Sequence, residues 1–271
     1  MAFVQAGGTA VHYVEHGPAR PAGGRTLVAL HGFTADHRMM VPALEPVLAT
    51  RTAWRRLYLD LPGMGRTTAA DALGGTDDVL AIVTAAIDAL VEGPYAVAGL
   101  SYGGHLATGL AGRPDARVSA LALLAPMVVA AHAERDVPGP QVRHEEPGLV
   151  YADDEALAEV GVVRTAETLR RSREEIDVAI AVADRGALDR IEASYGGSFS
   201  PPERFAGPAL VITGRQDHIV GFGDQLRRFA GWPRCTLAVL DRAGHNLHLE
   251  QRSLFEALVA EWLERVEETL A

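Results

Sequence analysis

Ser101 stands in the run Gly99-Leu100-Ser101-Tyr102-Gly103-Gly104, between a continuous apolar stretch and a helix-like one. A serine placed between a buried strand and a helix occupies a turn so tight that residues two positions away must lack bulky side chains. Gly99, Gly103 and Gly104 meet that need. The hydroxyl then projects from the carboxyl edge of a sheet, at a helix start whose dipole favours developing negative charge. Read this way, Ser101 is a nucleophile. Read blandly, it is an incidental serine in a glycine-rich turn.

Serine does not ionise at neutral pH, so a base must take its proton. Of the ten histidines, His245 is the best placed, in the loop Ala243-Gly-His-Asn-Leu-His-Leu-Glu250 after a strand-like Leu237–Leu240. His248 is its rival, although it falls where the final helix is starting. The imidazole needs a carboxylate to fix its tautomer and stabilise its charged form. Asp217 follows the apolar run Ala209–Thr213 directly and fills that role. Asp241, four residues before His245, reads as a surface residue, and the turn after Val118–Leu124 offers Pro126 and Met127 but no acid. Backbone N–H groups of Tyr102 and of Phe33, in His31-Gly32-Phe33-Thr34, are the expected donors to an oxyanion. No metal site is expected: His245 and His248 lack a third ligand, and His12 and His16 alternate along a strand too far apart to share an ion.

The elements that must hold these residues alternate. Phe3–Gln5 and Val11–Glu15 form an opening hairpin, and Thr26–Leu30 and Leu57–Asp60 are strands. Between them, Asp36–Leu48 has helical spacing that Pro42 and Pro46 should shorten. Thr76 should cap an amphipathic helix with Asp77 and Asp78 in its first turn and Val79, Leu80, Val83, Ile87, Leu90 and Val91 as its apolar stripe. Tyr95–Leu100 and Val118–Leu124 are buried strands. The last third supplies strand Ala209–Thr213, a helix near Gly223–Ala230, strand Thr236–Leu240 and a helix from about Ser253 to Leu270 that buries Leu254, Leu258, Trp262 and Val266. Continuous apolar strands alternating with helices predict an α/β fold: a mostly parallel, doubly wound sheet of about eight strands.

Residues 127–204 break that rhythm, with helices expected over Asp153–Val160, Thr165–Ile180 and Asp184–Ser194 and no strands between them. They carry 16 acidic and 9 basic side chains, most of the chain's formal charge of −10. The division expected is a core of 1–126 and 205–271 with 127–204 inserted after the sixth strand as a helical lid; an independent helical domain is the alternative. Met127, Val128 and Ile219 are candidate substrate contacts, with Tyr151 a further one, and they suit an uncharged or weakly polar acyl group.

Composition narrows the chemistry. The 271 residues are 48% hydrophobic, enough for a packed core. All 25 basic residues are arginine, so Schiff-base catalysis, a pyridoxal phosphate anchor and a P-loop lysine are out. The one cysteine, Cys235, can form no intrachain disulfide and no thiolate metal cluster. Net acidity disfavours nucleic acid. The N-terminal run has neither the basic nor the apolar region of a secretory signal, and the longest apolar stretch, Val118 to Ala131, is broken by Pro126 and too short to span a bilayer. A soluble cytoplasmic protein is expected, with a small-molecule substrate, no nucleic acid or membrane partner, and homodimerisation open.

Taken together, His31-Gly32, Asp60-Leu-Pro-Gly-Met-Gly65, the run at 99–104, Asp217 and Gly244-His245 resemble the α/β-hydrolase superfamily in type and order, over roughly 1–126 and 205–271. The resemblance implies Ser101 as nucleophile, His245 as base, Asp217 as the acid that orients it, Phe33 and Tyr102 as oxyanion donors, and no cofactor. Ser101 separates the chain from dehalogenases and epoxide hydrolases of this fold, which use an aspartate nucleophile. Carbon–carbon bond hydrolases usually have Asn before the serine and Trp after the histidine, where this chain has Leu100 and Asn246. A serine hydrolase of a small carboxylic ester is therefore the expected activity. Carbon–carbon, thioester or lactone cleavage are the alternatives, and a binding protein that keeps the pocket without turnover is the alternative class.

Overall fold

Alternating and continuous apolar runs resolve into ten strands in the computed structural model, which describes residues 2–19 and 24–269. In chain order they are β1 Ala2–Ala6, β2 Thr9–His16, β3 Arg25–Leu30, β4 Trp54–Leu59, β5 Tyr95–Leu100, β6 Val118–Leu124, β7 His144–Glu145, β8 Val163–Arg164, β9 Ala209–Gly214 and β10 Cys235–Leu240. Eight form one sheet in the order β1-β2-β4-β3-β5-β6-β9-β10. The β1/β2 and β2/β4 pairs are antiparallel and all others parallel. Every residue of β5 and β9 is buried, which is why these strands read as unbroken apolar runs rather than alternating ones. The parallel strands therefore all present their carboxyl ends at one edge.

Helices flank this sheet. The first, α1 (His37–Leu48), runs its full length through Pro42 and Pro46, which the sequence reading expected to shorten it. Asp36 caps its start by accepting from Arg38 N (2.9 Å), and Met39, Met40, Ala43, Leu44 and Leu48 are buried along one side. That burial outweighs the backbone hydrogen bonds the two prolines cannot donate. The second, α2 (Thr76–Leu90), is preceded by Gly75, so Thr76 is its first residue rather than its cap. Its hydroxyl is used elsewhere: it donates to the Tyr195 carbonyl (2.8 Å) and accepts from the Tyr102 hydroxyl (2.9 Å). The third is α3 (Tyr102–Gly112).

Residues 127–204 add no strand to the main sheet. They hold α4 (Ala156–Val160), α5 (Ala166–Ser172), which continues through a π-helical turn Arg173–Asp177 into α6 (Val178–Ile180), and α7 (Arg185–Glu192). The expectation of helices alone needs correction, because β7 and β8 pair in parallel here: His144 meets Val163 and Glu145 meets Arg164. Two-residue strands are too short to show a periodicity.

After β9 comes α8 (Gly223–Phe229), and after β10 come α9 (Leu247–Glu250) and α10 (Arg252–Thr269). The buried stripe of α10 is Phe255, Val259, Trp262, Leu263 and Val266, while Leu254, expected inside, is 48% exposed. Trp262 Nε1 donates to the Pro208 carbonyl (3.2 Å) and so fixes the rotation of the helix. Leu270, the expected end, lies outside the described residues. None of the described helices is long and apolar enough to cross a membrane.

Candidate active site

A single residue, Ser101, separates β5 from α3. Its backbone has φ 54° and ψ −113°, the left-handed half of the map that a non-glycine residue enters at a cost of about 1–3 kcal/mol. Close packing holds it there. A Cβ on Gly99 would fall 2.3 Å from the Gly103 carbonyl oxygen, and one on Gly103 would fall 2.3 Å from that of Leu30. Ser101 N donates to the Leu124 carbonyl (2.9 Å), and the Ser101 carbonyl accepts from His105 N and Met127 N (3.1 Å each). The glycines expected from the motif are thus required by contact.

Asp217 and His245 lie on the loops after β9 and β10, at the same sheet edge as Ser101. Asp217 is fully buried; its Oδ1 accepts from Ile219 N (2.8 Å) and Val220 N (3.0 Å), and its Oδ2 lies 2.9 Å from His245 Nδ1. A carboxylate at that distance keeps the proton on Nδ1 and leaves Nε2 as the nitrogen able to accept one. The rival His248 is sealed in α9 against Phe255, and burial lowers its pKa to about 3. Neither of its ring nitrogens meets a partner among the described residues. Asp241 is exposed, as expected.

The loop after β3 passes beside the serine: a Cβ on Gly32 would come 3.6 Å from Ser101 Cβ. His31 is buried and its pKa is lowered by desolvation. Its Nε2 accepts from Leu61 N (2.9 Å), so Nδ1 donates to the Gly32 carbonyl (2.8 Å). Thr34 has φ 68°, and its hydroxyl donates to the Phe33 carbonyl (2.6 Å). The His31 bond to the Gly32 carbonyl holds the peptide that carries the Phe33 N–H, and the strained Thr34 turn fixes the peptide after it. Phe33 and Tyr102 meet edge to face, with ring centroids 5.3 Å apart.

A family model described as the alpha/beta hydrolase fold matches residues 25–251. This chain belongs to the α/β-hydrolase family. The chain is 28% identical to the dihydrolipoyllysine-residue acetyltransferase component of the acetoin cleaving system of Pseudomonas putida, over 91% of its own length and 64% of that protein's. It is therefore similar to only part of that relative. It is 27% identical to a 2-hydroxy-6-oxononadienedioate/2-hydroxy-6-oxononatrienedioate hydrolase of Burkholderia vietnamiensis, covering 94% of this chain and 91% of the relative. An α/β superfamily hydrolase from Oenococcus oeni superposes with a TM-score of 0.86 at 22% identity, over 98% of this chain and 100% of the other, a likeness of fold.

Residues 127–204 reach the aromatic pair beside the serine. Ser101 is only 7% exposed. Tyr195, after α7, stacks on Tyr102 (centroids 5.1 Å, planes 7° apart) and meets Phe33 edge to face (5.0 Å). Its carbonyl accepts from Thr76, and burial raises its phenol pKa, so the ring stays neutral. Tyr195 is not legible in the sequence, because it sits in a Ser-Tyr-Gly-Gly turn with no periodic signal. Met127 is buried, and Val128 and Ile219 are partly buried. Tyr151 is drawn away: its hydroxyl donates to Glu145 Oε2 (2.9 Å) and accepts from Arg164 NH1 (2.6 Å), both within the insertion.

The fold also gathers His12, His37 and Asp60, whose ligand-capable atoms lie within 4.8 Å of one another. Along the sequence His12 is near only His16, and nothing local brings β2 against the start of α1. Asp60 accepts from four donors: His12 Nδ1, His37 Nδ1 and His37 N at 2.8 Å, and Arg66 N at 2.9 Å. Its carboxyl pKa is held well below the usual range by these bonds against the opposing effect of burial. Both imidazoles point a proton-bearing nitrogen at it. A cation would need those nitrogens deprotonated, and the geometry is that of a hydrogen-bonded anchor for the Asp60–Gly65 turn.

Proposed function

We propose that this α/β hydrolase is a serine esterase acting on small carboxylic esters through an acyl-serine intermediate. Ser101 Oγ attacks the ester carbonyl and passes its proton to His245 Nε2. Asp217 stabilises the resulting imidazolium, and the N–H groups of Phe33 and Tyr102 hold the oxyanion. His245 then protonates the departing alkoxide, and water, activated by the same nitrogen, releases the acid from Ser101. The observation that carries this reading is the 2.9 Å pair between His245 Nδ1 and Asp217 Oδ2, at the sheet edge where Ser101 is strained outward. In the same reading, residues 127–204 act as a lid, and Met127, Val128 and Ile219 with Tyr195 line an apolar acyl site.

The test is labelling with a fluorophosphonate followed by mass mapping. An adduct on Ser101 that blocks p-nitrophenyl acetate hydrolysis supports the esterase. No adduct would leave a binding protein of the same fold as the better reading. The 27% identity to a 2-hydroxy-6-oxononadienedioate/2-hydroxy-6-oxononatrienedioate hydrolase supports carbon–carbon cleavage as the second reading. A panel of esters, thioesters, lactones and dienoates decides between them, since strong preference for a dienoate would replace the substrate class while keeping the residues.

A further inference from the structure

The carboxylate of Glu250, at the end of α9, joins two parts of the chain that are far apart in sequence. It is 8% exposed. Oε1 accepts from Val162 N (2.5 Å) and Val163 N (3.3 Å), both in the insertion, and Oε2 accepts from Gly244 N (2.6 Å), the residue before His245. The two segments also approach closely. A Cβ on Gly244 would lie 2.7 Å from Val162 Cγ2 and 3.2 Å from the Val160 carbonyl oxygen, so only glycine admits the insertion so close.

Further ties reinforce this one. The buried Arg171–Glu175 pair (Nε to Oε1 2.5 Å) turns Arg171 NH1 toward the His248 carbonyl (3.3 Å). Arg143 NH2 donates to Gln216 Oε1 (3.2 Å), beside Asp217. Residues 244–250 are thus gripped by the insertion from more than one side.

We infer that Glu250 is a positioning residue that locks the insertion to the loop carrying His245, so that displacement of residues 160–164 displaces the base. A carboxylate withdrawn from water at this depth is unfavourable unless its oxygens are fully used, and here they meet three backbone donors that would otherwise be buried without partners. The arrangement goes beyond packing, because the same side chain holds both partners. The role rests on the proposed reading of His245 as the base.

Glu250→Gln keeps the shape but turns an NH2 group toward an N–H donor. At a temperature where the variant is folded by circular dichroism, kcat for p-nitrophenyl acetate and the rate of fluorophosphonate labelling of Ser101 should each fall about tenfold, with KM changed less. Amide exchange in 160–164 and 243–246 should rise together, while β5 and α2 keep wild-type protection. Glu250→Asp, which retains the charge one methylene short, should give the same paired response to a smaller degree and serves if the Gln variant does not fold. A lower melting temperature with unchanged kcat, or faster exchange in only one of the two segments, would overturn the inference. A wild-type chain with no Ser101 adduct would instead strike the esterase reading, and paired exchange would still report the lock.

Discussion

The ring of Tyr195 lies parallel to that of Tyr102, 5.1 Å between centroids and 7° between planes. One belongs to the insertion; the other follows Ser101. Through Thr76, the Tyr102 hydroxyl and the Tyr195 carbonyl are linked by two further hydrogen bonds. The segment after α7 therefore rests on the same residue whose backbone N–H is proposed to hold the oxyanion.

Tyr195→Ala should accordingly widen the acyl site. The ratio of kcat/KM for p-nitrophenyl butyrate over acetate should rise about tenfold, the scale on which a methylene or two is discriminated in an apolar pocket. Loss of the stacked pair should lower stability by about 1 kcal/mol. An unchanged ratio in steady-state assays would place the acyl group elsewhere.

Ser101→Ala should reduce ester hydrolysis by several orders of magnitude, leaving only what binding and the oxyanion donors supply. Relief of the positive φ is minor, since alanine meets the same steric limit as serine there, so the melting temperature should stay close to wild type. Turnover near the wild-type rate would show that another group is the nucleophile.

Asp217→Asn would present an amide to His245 Nδ1 and so favour the wrong tautomer, with an expected loss of about 10⁴-fold in kcat. The Asn side-chain oxygen can still accept from Ile219 N and Val220 N, so the loop should hold. A loss below tenfold, read with the fold checked by circular dichroism, would remove Asp217 from the mechanism.

Stability should fall in acid through histidines that are buried neutral. The folded pKa of His248 is about 3 against an ordinary 6.5. The unfolded chain therefore gains a proton near pH 6.5 that the native state refuses until pH approaches 3. Stability present above pH 6.5 is lost as pH drops through that window, at about 1.4 kcal/mol per pH unit for one proton. His31 and His105 are shifted the same way by burial and add to the slope. Urea midpoints at pH 7.5 and 5 should differ in this sense, and His248→Leu should flatten the dependence by about one proton. An unaltered slope in that variant would mean that His248 is protonated in the native protein.

What the sequence determined is what local chemistry dictates. The glycines around Ser101 are demanded by a strand-to-helix turn, and β5 and β9 are apolar throughout because both their faces are covered. Asp217 and His245 each follow an apolar strand, and a parallel sheet brings the ends of such strands to one edge. Those facts are legible because each needs only a few consecutive residues. The tertiary structure alone decided the rest. Thr76 looked like a helix cap but bonds Tyr195, more than a hundred residues on. His12 finds Asp60 and His37, which lie far from it in the sequence, and Glu250 reaches back to Val162. Pro42 and Pro46 stay inside α1 because buried neighbours outweigh their missing donors. The rotation of α10 follows from a tryptophan N–H that seeks the Pro208 carbonyl. Each of these is settled by which groups lose water together, and that depends on the packed chain rather than on any window of it.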